Sequence, residues 1–319
     1  MLSNIVGHAH VVTQLNSHLT APQSSYIFHG PKGVGKGFTA SSFFRQLACT
    51  GTKKEECRCK SCHQAIKELH SDLKNLTPKG LSYGINQVRE ILEDSTAYPD
   101  SAPYKIYVFN DADKITKEAS NALLKALEDG PKRVLFIFIL DDATLLIPTI
   151  RSRSVIFRFS PLRREEIFTF LTPFDADVEK VRLCTNLSEG SIGTALEFLR
   201  GGRMALRDSA LEHLLTLQRK PYHQIMEALE SEDFPESLFY LLRILFTDMA
   251  LIHAGLEADI SNFDKLPELK RLHTSFGGSG VSLGVASLNK LYEKVPLIKA
   301  TFPMHLNNAL FQIKRGLNA

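Results

Sequence analysis

A short, mostly apolar segment, Ser25-Tyr26-Ile27-Phe28, runs into the turn Gly30-Pro31-Lys32-Gly33-Val34-Gly35-Lys36-Gly37, and a helical pattern from about Gly37 to Ala48 follows. Few folds accommodate a strand that ends in four glycines and re-emerges as a helix. Glycine reaches backbone conformations closed to other residues, so such a turn can aim successive N–H groups at one point ahead of a helix N-terminus. The pattern G-x-x-x-x-G-K predicts a phosphate cradle, with Lys36 meeting the terminal phosphates. The surrounding sequence supplies the sheet such a loop needs. Strands are predicted at Lys105 to Asn110 and Val134 to Leu140, and helices at Ile85 to Ala97 and Ala119 to Leu127. Val134 to Leu140 is wholly apolar, as a strand covered on both faces must be. Alternation of this kind predicts a parallel sheet with crossover helices.

Beyond Phe159-Ser160-Pro161-Leu162 the strand signals thin out, a small helical bundle is predicted to about Arg207, and from Asp208 the pattern is nearly all helical. Leu238, Leu241, Leu242, Leu245, Met249, Ile252 and Leu256 make one stripe at helical spacing, and Gly277-Gly278-Ser279-Gly280 reads as a turn or short linker. A length of 319 residues favours two or three domains. The net charge of +3 is too small to mark a nucleic-acid binder by itself, so any such contact must come from a local cluster. No apolar run reaches membrane-spanning length, and the first residues lack the features of a signal peptide, so a cytoplasmic protein is expected. Four of the five cysteines, Cys49, Cys57, Cys59 and Cys62, lie within fourteen residues. In a reducing compartment that clustering favours a metal over disulfides, with a Cys59–Cys62 redox pair as the alternative. Cys184 falls in an apolar helix and is expected in the core.

The phosphate loop is incomplete as a catalytic device. Gly37 stands where the motif needs a Ser or Thr hydroxyl on Mg²⁺. The strand Ile106-Tyr107-Val108-Phe109 ends in Asn110-Asp111, where nucleotide hydrolases of this design place a Mg²⁺-binding aspartate and often a catalytic glutamate. Asn110 carries no charge, and Asp111 is one methylene shorter than glutamate. A cradle built from Gly30, Gly33, Gly35, Lys36 and Gly37 survives, and the metal chemistry does not.

Five segments then stand in order and at suitable spacing: Ile5-Val6-Gly7-His8, the glycine loop, Asp111-Ala112-Asp113, Asn121-Ala122-Leu123-Leu124-Lys125-Ala126-Leu127-Glu128, and Pro148-Thr149-Ile150-Arg151-Ser152-Arg153-Ser154. Together they resemble the bacterial DNA polymerase III clamp-loader family, AAA+ relatives of replication factor C, over roughly residues 1–160. The delta-prime branch of that family is the best match. The resemblance implies a RecA-like α/β P-loop AAA+ domain (1–160) with an inserted zinc module (about 49–62), a small helical lid (161–207) and an all-α collar (208–319). It implies an ATPase-inactive subunit that helps load the sliding clamp onto primed DNA beside gamma/tau and delta subunits. Besides Gly37 and Asn110-Asp111, Leu140 stands where ATPase members have a polar sensor, and Thr194 where they often have arginine. Arg153 matches the family arginine that reaches a neighbour's ATP, an in-trans contribution of about 10³–10⁵ in rate in well-studied systems.

The resemblance also implies zinc. Family members carry C-x8-C-x2-C-x2-C where this chain has C-x7-C-x-C-x2-C. The tight spacing makes Cys57 the ligand expected to matter least, with His63 the nearest substitute. Arg89 is the candidate contact to the backbone of primer-template DNA, because related subunits are basic there. The sliding clamp would be met indirectly, and no membrane is involved. Three other readings stay open. An active gamma/tau-type ATPase would have to tolerate Gly37 and Asn110. A P-loop small-molecule kinase would need the hydroxyl and an acceptor site. A purely structural zinc protein leaves Arg153 unexplained.

Overall fold

The structure, a computed structural model, describes residues 2–51, 57, 59–216, 235–292 and 302–317. Contacts divide the chain into two units, Met1–Phe170 with Gly190–Gly193, and Leu171–Glu189 with Thr194–Ala319.

The first unit is built on five parallel strands, β1 (Ser25–His29), β2 (Leu73–Leu76), β3 (Lys105–Phe109), β4 (Val134–Leu140) and β5 (Val155–Arg158), in the order β2-β3-β4-β1-β5. Its helices include α1 (Ala9–Ser17), α2 (Lys36–Ala48), α3 (Lys60–Ile66), α4 (Ile85–Ser95), α5 (Lys117–Asp129) and α6 (Pro148–Arg151). The two-residue period of a strand explains the apolar run of β4. Leu135, Ile137 and Ile139 enter one core with Tyr26, Phe28, Phe43 and Ile106. Val134, Phe136, Phe138 and Leu140 enter the other with Ile27, Tyr107, Phe109 and Leu123. Each large side chain so buried contributes about 2–3 kcal/mol, which fixes β4 at the centre and puts the ends of β1, β3 and β4 side by side. Helix α5 is capped by Thr116, whose Oγ1 accepts the Ala119 N–H at 3.3 Å, and it buries Ala119, Leu123 and Leu127.

Among the described residues the regular secondary structure of the second unit is all helical, with long helices at Gly202–Thr216, Pro235–His253, Leu266–Tyr292 and Phe302–Leu317. Leu238, Leu242, Leu245 and Met249 pack with Leu269, Leu272, Phe276 and Leu288 into its core. The expected stripe is therefore core through Met249, Ile252 is partly buried, and Leu256 lies past the helix end and exposed. No helix among the described residues is long and apolar enough to cross a membrane. Residues 217–234, 293–301 and 318–319, all within the expected collar, fall outside the described residues.

Helix α5 extends two residues beyond the predicted Ala119 to Leu127 at each end, and other details also differ from the sequence reading. Strands β2 and β5 were not predicted. The predicted helix to Ala97 stops at Ser95, and the strand to Asn110 stops at Phe109. The glycine cluster breaks its helix at Gly277 alone, where φ is 65°, and helix resumes through Gly278-Ser279-Gly280.

Candidate functional site

The glycine turn leaves β1 at His29 and closes on the N-terminus of α2, with positive φ at Gly30, Gly33 and Gly35. Close packing demands glycine at two of these. A Cβ on Gly30 would meet the Phe159 carbonyl oxygen at 2.0 Å, and one on Gly33 would meet Ser191 Oγ at 2.2 Å. The Gly193 N–H donates to the Gly33 carbonyl at 2.9 Å, so the Ser191–Gly193 segment lies directly against the loop. At Gly37, by contrast, nothing lies within 4 Å of a built Cβ. A hydroxyl would fit there, and its absence is not imposed by packing.

Lys36 is buried and turned onto its own loop. Its Nζ donates to the Gly30 carbonyl and, at 2.8 Å, to the Pro31 carbonyl, with Asp141 Oδ1 at 3.5 Å. Burial pulls the ammonium below the usual lysine range, and Asp141 acts against that pull. Asp141, the residue after β4, was missed by the sequence reading, which stopped at Leu140. Leu140 itself is buried in β4 opposite His29. A carboxylate within reach of the loop lysine opposes the phosphate charge that the lysine would otherwise attract.

At the end of β3, Asn110 Nδ2 donates to the Leu76 carbonyl at 3.1 Å, and Tyr83 Oη donates to the Asn110 carbonyl at 2.7 Å. The amide at the metal-ligand position is thus engaged with the neighbouring strand. Asp111, at φ 50°, pairs with Lys114 at 2.8 Å. Together they present one carboxylate, already paired with Lys114, where an Asp-Glu pair would present two.

Arg153 follows α6, whose Pro148 sets the first helical position and whose Ile150 is fully buried. Ser154 Oγ donates to the Ile150 carbonyl at 2.9 Å and meets Ser25 Oγ at 2.6 Å, tying this turn to β1. The half-exposed guanidinium reaches Glu128 at the end of α5 through Nε and Nη2, and the Thr149 carbonyl through Nη1 at 3.2 Å. Glu128 belongs to the string that carried the resemblance, yet nothing in the sequence linked it to Arg153. Arg89 lies exposed on α4, and Thr194 sits half-buried in the helix Ile192–Leu199.

The four clustered cysteines come together. The Sγ atoms of Cys49, Cys57, Cys59 and Cys62 all lie within 4.8 Å of one another. A tetrahedral ion with Zn–S bonds of about 2.3 Å holds its sulfurs about 3.8 Å apart, so the set fits such an ion with small adjustment. Backbone N–H groups of Cys62 and Thr50 pull the Cys59 thiol down to about 6, while burial pushes Cys62 up to about 12. Among the described residues His63 is not one of the converging groups. Cys184 is fully buried in the helix Val178–Leu187, as expected.

Residues 7–163 match the model of the family described as DNA polymerase III, delta subunit. The chain is 26% identical over 256 residues to DNA polymerase III subunit delta′ of Bacillus subtilis, covering 77% of this chain and 78% of that one. It is 26% identical over 274 residues to subunit delta′ of Haemophilus influenzae, covering 84% and 82%. To DNA polymerase III subunit gamma of Buchnera aphidicola it is 27% identical over 205 residues, which span 61% of this chain and only 56% of that relative. Among solved structures, the gamma subunit-related protein of Thermotoga maritima shares the fold at a TM-score of 0.50, with 17% identity and coverage of 96% and 98%. Over just under half of its length by the family model, and over more than three quarters by the two delta′ relatives, the chain is similar to DNA polymerase III clamp-loader subunits.

Proposed function

We propose that the chain is a delta-prime-type clamp-loader subunit that does not hydrolyse ATP and lends Arg153 to the ATP site of a neighbouring subunit. One observation carries this reading: the phosphate loop keeps its glycines and lysine but has no hydroxyl at Gly37 and no carboxylate at Asn110 for Mg²⁺, and its lysine is engaged with loop carbonyls and Asp141. Without the metal, charge building on the transferred phosphoryl group goes uncompensated.

In this reading residues 1–160 serve as the AAA+ domain, 161–207 as the lid and 208–319 as the collar that holds the subunit beside gamma/tau and delta. Cys49, Cys57, Cys59 and Cys62 hold one structural Zn²⁺, which would fasten the end of α2 to the start of α3. Arg89 meets the phosphate backbone of primer-template DNA, a contact without sequence preference and weakened by salt. Arg153 supplies positive charge to the neighbour's phosphoryl group.

The decisive measurement is ATP turnover by the purified chain, together with single-turnover hydrolysis by the reconstituted loader. The isolated chain is expected to be silent, and Arg153→Ala is expected to slow the neighbouring site at least about tenfold while assembly stays intact. Turnover by the isolated chain that vanishes on Lys36→Ala would establish the second reading, an active gamma/tau-type ATPase, which the similarity to the Buchnera gamma subunit favours. Wild-type hydrolysis and clamp loading by the Arg153→Ala loader would remove Arg153 from the mechanism.

A further inference from the structure

The guanidinium of Arg153 is already engaged. Nε and Nη2, one of the two edges with which an arginine can grip a phosphate bidentately, both point to the same oxygen, Oε1 of Glu128. Nη1 donates to the Thr149 carbonyl at 3.2 Å and to Ser152 Oγ at 3.3 Å. Of the five N–H bonds only one, on Nη2, has none of these partners. Glu128 lies in the last turn of α5, a helix anchored by its buried Leu123 and Leu127, so the carboxylate is delivered by a fixed element. Thr149 and Ser152 belong to the same short turn as the arginine. The side chain is thus folded back on its own surface rather than extended from it.

From this geometry we infer that Glu128 parks Arg153, occupying its Nε/Nη2 edge until the ATP of a neighbouring subunit displaces the carboxylate. The inference rests on the in-trans role proposed above. A carboxylate and a phosphoryl oxygen compete for the same two donors, so engagement by the neighbour requires the Glu128 contact to break. Glu128 is in this sense a positioning residue that sets how readily the arginine is released, and it touches no nucleotide. Both side chains are partly exposed, 36% for Arg153 and 45% for Glu128, so the contact is weak enough to be exchanged for a phosphate. That exchangeability makes the arginine responsive to whether a nucleotide is present across the interface.

The sign of the effect separates parking from simple support. If Glu128 merely held the arginine in a productive pose, its removal would slow the neighbour. If it parks the arginine, its removal makes engagement easier. The test is single-turnover hydrolysis at subsaturating ATP in the reconstituted loader, with wild type, Glu128→Gln, Arg153→Ala and the double variant. Glu128→Gln keeps size and removes charge, and its kcat/KM at the neighbouring site is expected to rise about two- to fivefold. The gain is expected to vanish in the Arg153→Ala background. An unchanged or lower kcat/KM in Glu128→Gln, with Arg153→Ala still slow, overturns parking and leaves the in-trans role standing. A gain that persists without Arg153 also overturns it, since the carboxylate would then act elsewhere. If Arg153→Ala matches wild type, the in-trans role itself has failed and parking falls with it.

Discussion

Replacing Arg207 with alanine should destabilise the helical unit by about 4 kcal/mol, most of it through groups that the arginine leaves behind. Arg207 is one of the largest fully buried side chains of the protein. Its Nη1 and Nη2 donate to the two carboxylate oxygens of Asp264 at 2.9 and 2.8 Å, a bidentate pair. Nε and Nη2 meet Asp208 Oδ1 at 3.1 and 2.8 Å, and Nη1 reaches Asn262 Oδ1 at 3.3 Å. Burial alone would lower its pKa, but Asp264 and then Asp208 hold it above the usual arginine value. The Asp264 pair, only 29% exposed on the carboxylate side, contributes about 2 kcal/mol. Stranding the fully buried Asn262 carbonyl costs about 1 kcal/mol, and the lost aliphatic stem about 1 kcal/mol more. Asp208 is nearly half exposed and adds little. The sum agrees with the cost of about 3–5 kcal/mol for breaking a buried pair from one side. At about 2–4 °C per kcal/mol for a unit of this size, the transition of the helical unit should move down by about 8–16 °C. Urea unfolding followed by circular dichroism, with calorimetry alongside, measures both quantities. Arg207→Met combined with Asp264→Leu should recover a good part of the loss, because no unpaired carboxylate then remains at Asp264. A loss below about 1 kcal/mol for Arg207→Ala would mean that the network is bystander to stability, and the reasoning from burial and bidentate geometry would be wrong.

Two further outcomes are expected. Protein purified without chelator should carry about one equivalent of zinc, lost in Cys59→Ser and equally in Cys57→Ser, because the Cys57 sulfur lies with the other three despite its cramped spacing. Metal analysis that finds full occupancy in either variant, or a folded metal-free protein from zinc-replete cells, would refute the site. Burial alone would raise the Asp72 carboxyl, but the N–H groups of Ser101, Asp100 and Ala102 bond to it at 2.7–2.9 Å and hold its pKa below the ordinary value. A depressed carboxylate contributes stability that is present above its unfolded pKa of about 4 and lost as pH falls through the lower folded value. Urea midpoints should therefore fall on acidification below about pH 4, and Asp72→Asn should be less stable at pH 7 with a shallower acid slope. An identical slope in the variant would exclude Asp72 as the titrating group.

The sequence by itself determined the centre of the first unit. Seven consecutive apolar residues at Val134–Leu140 have to be covered on both faces, and the glycines at 30, 33 and 35 admit little but a phosphate-type turn into α2. The helical second half was equally legible as far as Met249, because a stripe at helical spacing records burial directly. The cysteine cluster was legible for a different reason: its four thiols are near neighbours in the chain. What tertiary structure alone decided lies between residues far apart in sequence. Strand β2, Leu-Lys-Asn-Leu, has no alternation strong enough to announce itself, and it is a strand because β3 offers it an edge. Asp141 faces Lys36 across 105 residues, Glu128 faces Arg153 across 25, and Asp264 faces Arg207 across 57. Periodicity encodes which face of an element is buried, since hydrophobic burial depends on the element's own surface. A charge pair depends on distance and direction between two elements, and these are fixed only when the cores have packed.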